Sequence, residues 1–185
     1  MKKVIFAAAL MLGLSSTAFA NQYYLEGFGG LTVNPDLGYD DSDFEMDTGY
    51  NVGGAFGTTV NEFDVEGEIF YTESDYEGYN SNVNALSVMV NLVYGFPVAN
   101  TVEGYVGAGL GGVNVEYDGG SNFSSFTGDE WVFGGQIFGG ILVPVGENIS
   151  LFGEYRYQHA ADAEIQGLDV EYRGHHFSVG VRATF

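Results

Sequence analysis

The chain has no cysteine, so no disulfide can hold it together. That argues against the small cross-linked scaffolds common among exported domains. Cations are nearly as scarce: five Lys and Arg stand against 25 Asp and Glu, a formal charge of −20. A chain this acidic repels nucleic acid, which removes that class of partner. After residue 20 there is no apolar run long enough for a spanning helix, and no helical periodicity. Neither lack excludes a membrane, because a spanning β-strand needs only about 9–11 residues.

What is present begins with a leader. "MKKVIFAAALMLGLSSTAFA" places Lys2 and Lys3 before an apolar run and ends on Ala18-Phe19-Ala20, a small-x-small site. Residues 1–20 therefore read as a secretory signal peptide and residues 21–185 as one mature domain. Without the leader, three arginines face 25 acids, a side-chain charge of −22. High charge often means disorder, but 16% aromatic residues and 29 glycines argue for a folded chain.

Alternation supplies the fold. In "GHHFSVGVRATF", Phe177, Val179, Val181, Ala183 and Phe185 fall on one phase; His176, Ser178, Gly180, Arg182 and Thr184 fall on the other. This is a strand with two different faces. Similar segments recur at about 22–33, 48–59, 62–73, 83–96, 101–115, 130–143, 148–160 and 168–185. Read on the more apolar phase, five positions per strand, they carry no charge, and Thr58 is the one plainly polar residue. The opposite phase carries Glu26, Asp64, Glu66, Glu68, Glu103, Glu154, Arg156 and Arg182.

Connections alternate as well. "TTVNEF", "FPVANT" and "VPVGENI" are short, and two of them contain Pro, which cannot continue a ladder. "NPDLGYDDSDFEMD", "ESDYEGYNSN", "EYDGGSNFSSFTGD" and "ADAEIQG" are longer and, with their flanks, hold 17 of the 25 acids. The pattern predicts an all-β fold: an eight-stranded antiparallel up-and-down transmembrane β-barrel with short periplasmic turns and acidic external loops. A soluble lipocalin-like barrel with the apolar face inside is the competing architecture. Two groups of aromatics near the strand ends favour the membrane: Tyr23, Tyr24, Phe63, Tyr94 and Phe96 on one side, and Tyr50, Tyr71, Trp131, Phe133 and Tyr157 on the other.

"FSVGVRATF" resembles the terminal strand by which outer-membrane proteins are recognised by their assembly machinery, and "EGYVGAGLGG" and "LFGEYRYQ" resemble strands of the OmpA-like and OmpX-like small barrels. The resemblance implies a Gram-negative outer-membrane location and contact with lipid and lipopolysaccharide. It also implies a monomer and an assembly-signal role for Phe185; the peptidoglycan-binding domain that follows the barrel in full-length OmpA proteins is not expected, because the chain stops at the barrel.

Eight strands enclose a space that side chains can fill. Arg156 is expected to face Glu66 or Glu68, and Arg182 to lie near Glu26 or Glu103, with Glu154 in the same network. The expected role is non-enzymatic and structural, at the cell surface. The alternative is a narrow cation or small-solute channel, kept open as a reading by Gly107, Gly109, Gly111, Gly134 and Gly140 on the lumen phase. No cofactor and no catalytic site are expected. His176 and Ser178 share a face, as a base and nucleophile of a lipid A-modifying enzyme would, but that face is the lumen. Asp41, Asp43, Glu45 and Asp47 have the alternate spacing of a calcium loop without its central glycine. They read as a solvated acidic surface, with loose divalent-cation binding as their functional version.

Overall fold

Alternating faces and the absence of helical patterning leave the backbone one way to satisfy its hydrogen bonds in a membrane, a sheet closed on itself. A computed structural model describes residues 22–33, 48–75, 81–121, 124–165 and 168–185 and shows that closure. The strands are β1 (Tyr23–Val33), β2 (Thr48–Val60), β3 (Phe63–Asp75), β4 (Ser81–Ala99), β5 (Val102–Ser121), β6 (Ser124–Pro144), β7 (Ile149–Ile165) and β8 (Leu168–Thr184). Each pairs antiparallel with its neighbours in sequence, and β8 closes on β1.

The register fixes the stagger. A row perpendicular to the strands runs from Glu26 through Ala55, Glu68, Met89, Gly111, Gly134 and Ala160 to Tyr172. Glu26 itself pairs with Arg182, ten residues further along β8. Rows therefore climb from β1 to β8, away from the end that holds both chain termini. With standard strand rise and spacing this stagger gives a tilt of about 41°.

Burial sorts the two phases. Leu25, Val90, Leu110, Ile137 and Val179 lie exposed on the outer wall, whereas Phe28, Phe70, Met89, Phe138 and Phe152 are buried inside. On the apolar phase Thr58 is the buried polar residue, opposite Tyr23 in the β1–β2 ladder. At the terminal end Tyr23, Phe63, Tyr94 and Phe96 face outward, but Tyr24 does not: it is 2% exposed and belongs to the lumen. Its neighbour Tyr23 holds the outward position, so parity rather than aromatic character decides.

Two expectations about strand ends need correction. β5 and β6 pair as far as Ser121 and Ser124, and β7 and β8 as far as Ile165 and Leu168. "EYDGGSNFSSFTGD" and "ADAEIQG" are thus mostly ladder, and the alternation of short and long connections fails on that side. Hydrogen bonding between strands continues after the need for an apolar face has ended. Pro97 also lies within β4, paired with Glu103 beside a register shift, so the edge of a bulge accommodates its missing N–H.

The β2–β3 turn at Asn61 and Glu62 has one positive φ, 60° at Asn61. Asn tolerates this region because its short polar side chain can bond locally, whereas a β-branched residue cannot. Asn61→Val is expected to cost about 1–2 kcal/mol, read as a lower urea midpoint in lipid vesicles. Asn61→Gly should leave the midpoint nearly unchanged.

Candidate functional site

The lumen is the candidate site, built by the inward phase of all eight strands. At its centre Arg156 on β7 reaches across to Glu68 on β3. Nη1 donates to Oε1 at 2.5 Å and Nη2 to Oε2 at 2.7 Å. Nη2 and Nε also donate to Oε1 of Glu154, two residues away on the same face, at 2.8 and 3.2 Å. A guanidinium presents its donors as a planar fork, which suits this two-carboxylate clamp as an ammonium would not. Phe70, Phe28 and Phe138 surround the cation, with ring centroids 4.8, 5.4 and 5.1 Å from its central carbon.

Neutral side chains take up the remaining carboxylate lone pairs. Gln136 donates to Glu68 at 3.0 Å and to Asn91 at 2.8 Å. Asn91 lies between two acids, donating to Glu66 and Glu68 at 3.3 Å each. Gln158 donates to Ser87 at 3.1 Å and to Gln136 at 3.3 Å. Tyr105 donates to Glu154 at 3.1 Å. An unpaired buried polar group costs the full desolvation penalty, and this web avoids it around Arg156.

A second layer lies toward the terminal end. Arg182 donates through Nε to Glu26 at 2.5 Å and has Asp64 and Glu66 at 3.6 and 3.7 Å. Its central carbon is 4.1 Å from the Tyr24 ring centroid, while the Tyr24 hydroxyl donates to Glu66 at 2.7 Å. Toward the other end His176 Nδ1 lies 2.9 Å from the Thr32 hydroxyl, and Ser178 donates to Asn51 at 2.8 Å. His176 and Ser178 both face the lumen and are buried.

The structure therefore brings together Glu26, Glu66, Glu68, Glu154, Arg156 and Arg182. It does not bring in Glu103. That side chain has lumen parity but is exposed, three residues after the Asn100 turn position, at the rim where water can solvate it. Asp64, Asn91, Gln136, Gln158, Tyr24 and Tyr105 complete the network. The sequence places Asp64 on the charged phase and Tyr24 among the aromatics near the strand ends, and gives neither a partner. An isolated Gln in the apolar segment "FGGQIFGG" was a usable signal for Gln136. The candidates Asp41, Asp43, Glu45 and Asp47 lie outside the described residues.

Nor are the lumen glycines empty space. A Cβ on Gly107 would stand 2.3 Å from the Phe138 ring, one on Gly109 2.0 Å from the Asn91 amide oxygen, and one on Gly140 2.6 Å from the Tyr105 hydroxyl. Each glycine is the hollow into which a neighbour's large side chain fits. The apolar groups Phe28, Phe70, Val93, Tyr105, Phe138, Leu142 and Phe152 form one cluster around the charged layers. Ala85, Met89, Val113, Val115 and Ala160 form another toward the far end.

A closed barrel with an apolar outer wall and a polar, ion-paired interior defines a transmembrane β-barrel of the outer-membrane class. A family model described as "Outer membrane protein beta-barrel domain" matches residues 6–185, and the chain belongs to that family. It is an outer-membrane protein of the Gram-negative type. Comparison with curated proteins gives no match. Among solved structures the chain is similar to Neisserial surface protein A at 19% identity, covering 89% of this chain and 97% of that one, with a TM-score of 0.66. It is also similar to a major outer membrane protein from Thermus thermophilus, at 11% identity, 90% and 100% coverage and a TM-score of 0.59. Outer membrane protein H of P. aeruginosa gives 18% identity, 90% and 100% coverage and a TM-score of 0.55. At these identities the likeness is one of fold.

Proposed function

We propose that this is a non-enzymatic outer-membrane barrel, closed by its own side chains, that presents the end opposite its termini to the outside of the cell. The observation that carries the reading is the Arg156 fork on Glu68, enclosed by three aromatic rings. Residues from β1, β3, β6 and β7 meet there, within reach of one guanidinium. The acidic external connections then meet ions, lipopolysaccharide or a neighbouring surface. Asp41, Asp43, Glu45 and Asp47 collect divalent cations loosely and bridge to lipopolysaccharide phosphates. The monomer is the working unit, residues 1–20 are its removed leader, and Phe185 is read by the assembly machinery. A lipid-modifying activity would need His176 and Ser178 on the outer wall, and their lumenal partners Thr32 and Asn51 argue against it.

One observation favours a second reading, a narrow cation path: among the described residues, five lumen carboxylates, Glu26, Asp64, Glu66, Glu68 and Glu154, face two guanidiniums. Single-channel recording on purified protein in planar bilayers separates the two. The closed barrel is expected to give no openings, or rare small ones. Frequent cation-selective openings whose conductance changes in Arg156→Ala would replace the plug with the channel.

A further inference from the structure

Six Arg and His residues follow residue 20. Arg156, Arg182 and His176 are buried in the lumen. The other three, His159, Arg173 and His175, share the outward phase of two adjacent strands. His159 pairs with Arg173 and Tyr157 with His175 across the β7–β8 ladder. His175 stacks on Tyr155 at 5.9 Å, and its Nδ1 lies 2.7 Å from the Tyr155 hydroxyl. Among the described residues, all the outward-facing basic side chains thus gather on one patch, just beyond outward-facing tyrosines.

An apolar groove of about 870 Å³ leads to that patch along the outer wall. It follows two neighbouring cross-strand rows. One passes through Val65, Leu92, Ala108, Ile137 and Tyr157; the other through Val90, Leu110, Gly135 and His159. Ala108 and Gly135 supply little side chain, and larger residues stand around them. Because rows climb with strand number, the groove rises toward His159. From β3 to β7 it covers four strand spacings, about 19 Å, and on the tilt derived above it rises about 13 Å. That is about half of the ~25 Å apolar band of such barrels, the depth of one leaflet.

We propose that groove and patch together hold one phosphorylated lipid of the lipid A type, its phosphate at Arg173 and His159 and one acyl chain along the Ala108–Gly135 floor. Charge complementarity selects the head: phosphate suits a guanidinium fork, and among the described residues Arg173 is the one Arg on the outer wall. Groove length and apolar lining select the chain. The assignment to the outer leaflet rests on the orientation proposed above; the test does not, because lipid is supplied in both leaflets.

The test is lipid retention by folded protein released from nanodiscs, counted by native mass spectrometry. The discs contain phosphatidylcholine with either lipid A or its dephosphorylated form. Heat-shifted gel mobility confirms folding of each variant. The wild type is expected to retain one lipid A about tenfold over the dephosphorylated form, the scale of one charge-assisted contact. Arg173→Gln with His159→Gln should abolish that preference while leaving retention of the dephosphorylated lipid unchanged. Gly135→Leu, which fills the floor, should lower retention of both forms. Leu31→Trp, which adds bulk on the opposite wall, should change neither. Equal retention of both lipids by the wild type, a preference that survives the double substitution, or equal effects of Gly135→Leu and Leu31→Trp would each overturn the proposal.

Discussion

Arg156→Ala is expected to lower the unfolding free energy of the barrel in lipid vesicles by about 3–5 kcal/mol, the cost of leaving a buried partner charge uncompensated. Arg156 and Glu68 are both almost fully buried, and Glu154 shares the same guanidinium. Removing the cation leaves two carboxylates facing each other among phenylalanine rings. The whole group is a different matter from one member of it. Arg156→Leu combined with Glu68→Leu and Glu154→Gln should recover most of the loss, since apolar replacement of a buried ion pair is often neutral or better. Urea titration followed by Trp131 fluorescence measures both, because Trp131 is the single tryptophan and lies exposed on the outer wall. A loss below about 1 kcal/mol, the range of exposed ion pairs, would mean that water reaches the centre of the lumen and that the plug is not dry.

The second large effect belongs to the outer wall. Val181 is 44% exposed and lies two residues from Val179, at 71%. Val181→Arg places a charge in the apolar band, at a cost of about 2–4 kcal/mol near mid-bilayer. The expected result is a marked fall in folded protein recovered from the outer membrane, while Val181→Ile behaves as wild type. Phe185→Asp should reduce recovery by a different route. The Phe185 ring stacks on Tyr23 at 6.5 Å, and its backbone N–H donates to Tyr23 at 2.8 Å, so the closing seam ends on this residue. Equal recovery of Val181→Arg and wild type would reverse the assignment of faces.

Parity was legible in the sequence because lipid and lumen make opposite demands on alternate residues. Strand ends were not. Above the apolar band neither face must be apolar, so the outer parts of β5 and β6 lose the alternation while keeping the ladder. Within the lumen the types of partner could be read, but the pairing depends on stagger. Arg156 reaches Glu68 and Arg182 reaches Glu26 because rows climb by ten residues around the barrel, a quantity no single strand encodes. Glu103 shows the limit: its parity is that of the network, its height is not. The glycines misled in the opposite direction, since a missing side chain looks like space until the neighbour that fills it is known. Gly107 becomes intelligible only beside Phe138.

The strands differ in length, from 11 residues in β1 to 20 and 21 in β5 and β6. At the derived tilt, β1 stands about 28 Å tall and β5 about 50 Å, against an apolar band of ~25 Å. The wall is therefore a slanted parapet. On one side the ladder ends close to the lipid surface; on the other, β4, β5 and β6 carry it well clear as a three-stranded blade. Of the paired framework, a body approaching from above meets the tip of that blade first. The blade continues the same strands that carry Gly109 and Gln136 lower down, so it stands on the side of the barrel that holds the apolar groove.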